Sequence, residues 1–353
     1  VALADDYVAV ALWRELATVQ VGQFDAPFTL ENRTSDRYLD FMERSLTVGA
    51  VGVPDNKEVG AMIHGHDRGG RFLYSYGVFD GDGPGRLNLD HQFDSIGRAW
   101  IAPFAFASNG DPSGGGPLRN LAIGGSLWLG DREDTLALAP QTTQGGEPFA
   151  AFSSYSATPT GTNGLRTVQL RQVGLLRAFA GELDLPVRHR FDARAELVWR
   201  HSPLSEVDVT DPNARVILGG ANLIAWAGYA QLSFWLLGDD RVISERAGVE
   251  PFLPRLRTPI WRPSRGLMIA LRAERVIEHV TYESDAASRN IADPAVGSTR
   301  VTSFQVGLNY WESRRFRATL NYGFYQFDGD TLYVQQLANS NAHEVAFRLA
   351  VAL

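Results

Sequence analysis

The stretch Val301-Thr302-Ser303-Phe304-Gln305-Val306-Gly307-Leu308-Asn309-Tyr310-Trp311 decides the fold. Its even positions, Thr302, Phe304, Val306, Leu308 and Tyr310, make one face, and Ser303, Gln305, Gly307 and Asn309 make the other. Strict alternation with period two is the mark of a strand with one apolar and one polar side. After a tight turn near Glu312 to Arg314 the pattern resumes: Phe316, Ala318, Leu320, Tyr322 and Phe324 oppose Arg317, Thr319, Asn321 and Gly323, which predicts a hairpin. The last segment sets Val345, Phe347, Leu349, Val351 and Leu353 against Glu344, Ala346, Arg348 and Ala350. Upstream, Phe191, Ala193, Ala195, Leu197 and Trp199 alternate with Asp192, Arg194, Glu196, Val198 and Arg200. A soluble sandwich rarely sets such charges on an inner sheet face, whereas a membrane barrel turns them toward a wet lumen.

The same reading gives thirteen strand candidates, near 5–14, 17–28, 58–67, 71–80, 93–103, 120–131, 167–182, 189–201, 222–237, 265–279, 300–311, 314–327 and 341–353. Connections alternate between short ones, such as Arg68-Gly69-Gly70, and long ones, such as 29–57, 132–165 and 281–299. Short turns at one end and long loops at the other suit an outer-membrane barrel. Lipid cannot hydrogen-bond a peptide group, so spanning strands must close without a free edge. The expected fold is therefore an all-β, transmembrane antiparallel β-barrel, a single domain over 1–353, in the bacterial outer membrane. Aromatics that bracket strands (Trp226, Trp235 and Trp261; Tyr310, Trp311, Tyr322 and Tyr325) are read as interfacial girdles. The competing architecture is a soluble all-β sandwich or solenoid, which would show similar alternation.

Composition narrows the function classes. The 353 residues are 21% charged and 11% aromatic, with 35 glycines, which is too polar for a helical membrane protein. The most apolar stretch, 223–237, is broken by Gln231 and Ser233, and falls short of the ~20 apolar residues a spanning helix needs. A net charge of −7 offers no basic footprint for nucleic acid. Of the 33 basic residues only Lys57 is a lysine; the rest are arginines, whose planar forks suit oxyanions. Cysteine is absent, which excludes disulfides and thiolate metal sites. The sequence opens on Val1 with no charged-then-apolar leader, so any signal peptide is expected to have been removed.

Local motifs that could carry chemistry have plainer readings. His64 and His66 share a strand face beside Asp67, but two imidazoles without a third ligand make a weak metal site. Asp80-Gly81-Asp82-Gly83 lacks the other ligands of a calcium loop and reads as a turn. Ser126 in Gly124-Gly125-Ser126-Leu127-Trp128 is no nucleophile elbow, because the second glycine is missing. We expect no metal, no cofactor and no enzyme; a barrel hydrolase with a Ser–His pair is a remote third possibility. On or next to the polar strand faces lie Arg98, Arg194, Arg200, Arg272, Arg317 and Arg348, the candidate lumen-lining cations. In a narrow pore a ladder of them could pass an oxyanion between bidentate forks. The bland alternative is that a neighbour such as Asp192, Glu196, Glu274 or Glu344 neutralises each of them.

The segment Val19-Gln20-Val21-Gly22-Gln23-Phe24-Asp25-Ala26-Pro27-Phe28 resembles a strand end of the phosphate-selective porins O and P. Leu30-Glu31, Thr34-Ser35-Asp36-Arg37-Tyr38 and Phe41-Met42-Glu43-Arg44-Ser45 resemble the loop that follows it in that family. Further likenesses are Val59-Gly60 with His64-Gly65, Tyr76-Gly77-Val78-Phe79-Asp80-Gly81-Asp82-Gly83, and Gly228-Tyr229-Ala230-Gln231-Leu232-Ser233 through Gly238-Asp239. Val306-Gly307-Leu308-Asn309-Tyr310 and Arg317-Ala318-Thr319-Leu320-Asn321-Tyr322 resemble the family's closing strands. The likenesses keep their order over almost the whole chain.

The resemblance implies a sixteen-stranded, trimeric outer-membrane porin among lipid and lipopolysaccharide, passing small anionic, phosphate-like solutes. It implies that loop 29–57 folds inward and narrows the pore, with Asp25, Arg33, Arg37 and Arg44 at the constriction. It also implies about three strands ahead of the one that begins at Asp5-Asp6-Tyr7-Val8, so the N-terminal strands are expected to be absent from this chain or supplied by another polypeptide. Two departures stand out. Asp25 replaces the family's usual lysine, and segment 26–57 carries Arg33, Arg37, Arg44 and Lys57 against Glu31, Asp36, Asp40, Glu43 and Asp55. The alternative function is a non-conducting structural barrel that anchors or forms part of a larger outer-membrane complex.

Overall fold

The computed structural model describes residues 6–34, 39–53, 56–67, 71–85, 88, 91–104, 117–118, 120–138, 141–150, 155–157, 166–188, 190–210, 216–239, 265–282, 297–313, 315–331, 334, 337 and 339–351. Its elements are β1 (Asp6–Trp13), β2 (Ala17–Asp25), α1 (Leu46–Val51), β3 (Lys57–His66), β4 (Phe72–Phe79), β5 (Asp94–Ile101) and β6 (Ala122–Gly130). The short strands β7 (Glu133–Ala137), β8 (Gln141–Thr142), β9 (Pro148–Ala150), β10 (Tyr155–Ala157) and β11 (Arg166–Val173) follow. Long strands complete the chain: β12 (Leu176–Val187), β13 (Phe191–Asp208), β14 (Val216–Leu237), β15 (Gly266–Tyr282), β16 (Gly297–Ser313), β17 (Phe316–Gly329) and β18 (Asn341–Val351).

Every strand pairing is antiparallel, and the main sheet has sixteen strands among the described residues. Three of them, β7, β10 and β11, lie off the main path, so the wall is the thirteen-strand series β1 to β6 followed by β12 to β18. Twelve of the thirteen coincide with strands expected from the alternation, and β12 overlaps the second half of the one expected over 167–182. Among the described residues β1 pairs only with β2 and β18 only with β17, so the wall is not closed between its two end strands.

Alternation becomes two faces. Along β12 the odd positions Arg177 and Phe179 are exposed while Leu176, Ala178 and Ala180 are buried, and β15 and β16 repeat the pattern. The exposed set forms a band that includes Tyr76, Leu127, Phe179, Leu197, Leu271 and Phe304. It continues through Leu308, Leu320, Phe347 and Leu349, as a lipid-facing surface requires. Arg317 is buried on the opposite side.

Three local expectations need correction. The strand expected over 167–182 is two strands. Gly174, at φ 65°, breaks it, and its N–H and C=O exchange hydrogen bonds with the backbone of Arg132 at 2.7 and 3.1 Å. Left-handed backbone is open to glycine at little cost, so the chain kinks there. As a result β11 pairs with the upper part of β13, from Leu204 to Asp208, while β12 takes the lower part, from Phe191 to His201. Second, Trp235, Trp311 and Tyr325 are buried on the inner side, whereas Trp226 and Tyr322 are exposed. Within β14, Trp226 and Trp235 are an odd number of residues apart and so must face opposite ways; Trp261 lies outside the described residues. Third, the connections 102–121 and 238–265 leave the end where the short turns 14–16, 188–190 and 314–315 lie, so turn length is not uniform there.

Candidate functional site

The segment after β2 leaves the wall and packs on its inner face. Phe28 meets Trp128 of β6 edge to face at 5.5 Å, and Phe41 clusters with Trp235, Met268, Ala270 and Trp311. The six-residue α1 contacts β13, β14 and β15. A loop inside a barrel carries peptide groups that water cannot reach freely, and these need partners. Wall side chains supply them. The Glu196 carboxylate accepts from the N–H groups of Leu30 and Glu31 at 3.1 and 2.7 Å, and from the Tyr229 hydroxyl at 2.7 Å. Glu274 accepts from Leu46 N–H at 2.9 Å, at the start of α1, and from Ser303 and Gln305 at 2.5 and 2.6 Å. Ser126 Oγ accepts from Thr29 N–H at 3.1 Å, and Gln231 donates to Asp40 at 2.7 Å.

The candidate arginines all point to this interior. Arg98 pairs with Glu182 at 2.9 Å, and Arg194 with Asp184 and Asp192 at 3.1 and 2.7 Å. Arg200 donates to Ser202 at 2.8 Å and lies 5.4 Å from the Trp128 ring centroid. Arg272 reaches Glu31 at 3.0 Å and Gln305 at 2.9 Å, with its guanidinium 4.2 Å over Phe41. Arg317 donates to Leu39 O and Asn309 Oδ1, each at 2.6 Å, and Arg348 to Met42 O at 3.1 Å. Of the residues the resemblance assigns to the constriction, Asp25 ends β2 opposite Lys57 at the start of β3, and their side chains pair at 2.6 Å. Arg33 donates to the Asp25 carbonyl, which folds the segment back on its own neck. Arg44 donates to Glu31 O and Thr34 O at 3.3 and 2.9 Å, an internal brace. Arg37 lies outside the described residues.

A second insertion was not foreseen. The hairpin β8–β9 crosses to the far wall, where Gly145 N–H and the Thr143 hydroxyl donate to Glu344 of β18, the former at 2.8 Å. Gln141 donates to Glu278 of β15 at 2.6 Å and to Ala50 O of α1 at 3.2 Å, and Gln144 donates to Arg44 O at 3.0 Å. Phe149 stacks on Phe327 at 6.4 Å. The hairpin is short, polar and glycine-bearing, so it carries no periodic signal that would have revealed its destination. Also unforeseen were the inward acids Asp94, Glu182, Asp184 and Glu278, which face the same space as the arginines; Arg132 and Trp128 both donate to Asp94. No group of three or more His, Asp or Glu positioned to hold a metal occurs among the described residues, His64 and His66 included.

The site is thus a lumen wall with charged inner faces, crossed by two inserted segments. Residues 2–114 match the family model of phosphate-selective porin O and P. Over that stretch the chain is similar to an outer-membrane porin family. The resemblance read from the residues is shown over that stretch, which contains the neck at Asp25, the inserted segment and α1; the likenesses at 228–239 and 306–322 fall outside it. No curated protein matches the chain. Among solved structures, the chain is similar to the loop L8 deletion mutant of OmpT, an outer membrane protein of Vibrio cholerae. That pair is 11% identical over 95% of this chain and 74% of the other, with a TM-score of 0.47. For outer-membrane expressed OmpT of Vibrio cholerae the figures are 8%, 97%, 77% and 0.44.

Proposed function

We propose that this protein is an outer-membrane porin that passes small anionic solutes, phosphate-like ones among them, with a modest anion preference and no tight phosphate binding, and that it catalyses no reaction. The observation that carries the reading is the placing of Arg317 and Arg348 on the inner faces of the neighbouring strands β17 and β18. Both guanidinium groups donate to backbone carbonyls of the inserted segment, at Leu39 and Met42. At Arg348 the acceptor is a neutral carbonyl, which leaves the charge in place, while Arg317 also lies in the field of Asp40; a low-dielectric constriction focuses what remains. The preference stays modest because Arg98, Arg194 and Arg272 each face a carboxylate, and because Asp25 meets the single lysine. The family resemblance supports a homotrimer or larger assembly surrounded by outer-membrane lipid and lipopolysaccharide.

The test is the reversal potential across a planar bilayer in a potassium chloride gradient, before and after Arg317→Gln with Arg348→Gln. The anion-to-cation permeability ratio should fall in the variant; an unchanged ratio removes these two arginines from the account. A second reading, a non-conducting structural barrel, is favoured by one observation: both insertions are hydrogen-bonded to opposite walls. A folded protein that gives no conductance would select that reading.

A further inference from the structure

We infer that the outer face of β15 and β16 carries a binding site for a lipid whose headgroup bears an anionic phosphate, formed by Arg275, Arg300 and His279. Position parity sets the geometry. On β15 the inner face is the even series through Arg272 and Glu274, so Arg275 and His279 project outward, and both are exposed. On β16 the exposed even series runs Leu308, Val306 and Phe304 and continues to Arg300. Arg275 stands opposite Thr302, and Arg300 opposite Ile277. The two arginines are therefore diagonal neighbours, about 7–8 Å apart at their backbones, close enough for both forks to reach one phosphate. His279, opposite Ser298 and hydrogen-bonded to it at 3.0 Å, stands beyond them toward the end where the inserted segment leaves the wall.

A charge on a lipid-facing strand is costly at the membrane midplane and tolerated near the interface, where a polar head can meet it. Arg275 has no hydrogen bond or ion pair with any described residue; Arg300 has an exposed partner in Asp328, at 3.2 Å. Immediately below, the outward side chains become apolar: Leu271 on β15, then Phe304, Val306 and Leu308 on β16, each exposed. Cations above an open apolar strip complement an amphiphile with an anionic head and acyl chains, and a free anion would gain nothing from the strip. Arg300 and His279 lie toward the end from which the 26–56, 131–175 and 283–296 connections leave, and Arg275 lies nearer the middle of β15, which places the headgroup on the long-loop side of the apolar strip. The inference rests on membrane embedding and is independent of whether the pore conducts.

The experiment is native mass spectrometry of the full chain in detergent, titrated with dioleoyl phosphatidic acid or with dioleoyl phosphatidylcholine. Phosphatidic acid adducts should exceed phosphatidylcholine adducts. Because each arginine near a membrane surface contributes about a five-fold gain for an anionic lipid, Arg275→Ala with Arg300→Ala should lower adduct abundance by about twenty-five-fold. Thr302→Glu, which sets an acid between the two arginines, is the second variant and should act in the same direction. Each variant is first checked for unaltered heat-modifiable mobility and bilayer conductance, which a failure of the pore reading would affect and a failure of the lipid site would not. Equal adducts for both lipids, variants that bind as the parent does, or displacement of phosphatidic acid by equimolar inorganic phosphate would each overturn the site. So would loss of the oligomer in the variants with lipid binding intact, which would assign the face to contact between copies.

Discussion

Arg272 of β15 joins the wall to the inserted segment: its Nη1 donates to Glu31 Oε1 at 3.0 Å, from an interior where both side chains are nearly or fully buried. The two residues are 241 positions apart, so this contact exists only once the wall has been assembled. Removing one partner of a buried pair strands the other charge, which costs about 3–5 kcal/mol. Arg272→Ala and Glu31→Ala should each lower the unfolding temperature in detergent. Both should enlarge the single-channel conductance and make it noisier, because the segment loses its tie. A double variant close to either single one would show that they act through each other.

The Asp25–Lys57 pair closes the neck of the same segment at 2.6 Å. Asp25→Lys should move the reversal potential further toward anions, and more than Asp25→Asn does. Lys57→Gln, which leaves Asp25 uncompensated, should move it toward cations. Identical potentials in all three would take the neck out of the permeation path.

Hairpin β8–β9 depends on Glu344 at its tip. Glu344→Ala withdraws the acceptor of two donors and should raise conductance without changing the fold, read as unaltered heat-modifiable mobility. An unchanged conductance would mean that the hairpin does not bound the path.

Leu308 is 41% exposed on the outer face of β16, while its neighbour Asn309 is fully buried inside. An arginine on the lipid face costs about 2–4 kcal/mol at the membrane midplane and little near the interface. Leu308→Arg should therefore slow or block refolding into phosphatidylcholine vesicles, whereas Gln326→Arg, exposed near the end of β17, should be milder. Equal refolding of both would mean that this face does not meet lipid.

Much of this was legible because a strand has an exact period. Thirteen wall strands and the inward direction of Arg98, Arg194, Arg200, Arg272, Arg317 and Arg348 follow from parity alone. Parity read loosely also misled: Trp235, grouped with Trp226, and Trp311, grouped with Tyr310 and Tyr322, pack on Phe41 inside the barrel. The break at Gly174 was hidden because alternation continues on both sides of it. The hairpin at 141–150 was hidden because its partners, Glu278, Arg44 and Glu344, are brought to it only by assembly of the curved wall.

Unpaired edges at β1 and β18 would expose a row of backbone donors and acceptors to hydrocarbon, each costing several kcal/mol. We propose that strands beyond those described pair with both edges. Cysteines placed at Val10 and Leu349, in a chain that has none of its own, should not cross-link on oxidation, and a ready cross-link would show that β1 and β18 meet directly.

The most direct test of the account is a planar-bilayer recording of the purified, folded chain in a potassium chloride gradient. We expect stepwise, ohmic conductance with a reversal potential displaced modestly toward anions. Folded protein that gives no steps would contradict the porin, and a displacement toward cations would contradict its proposed selectivity.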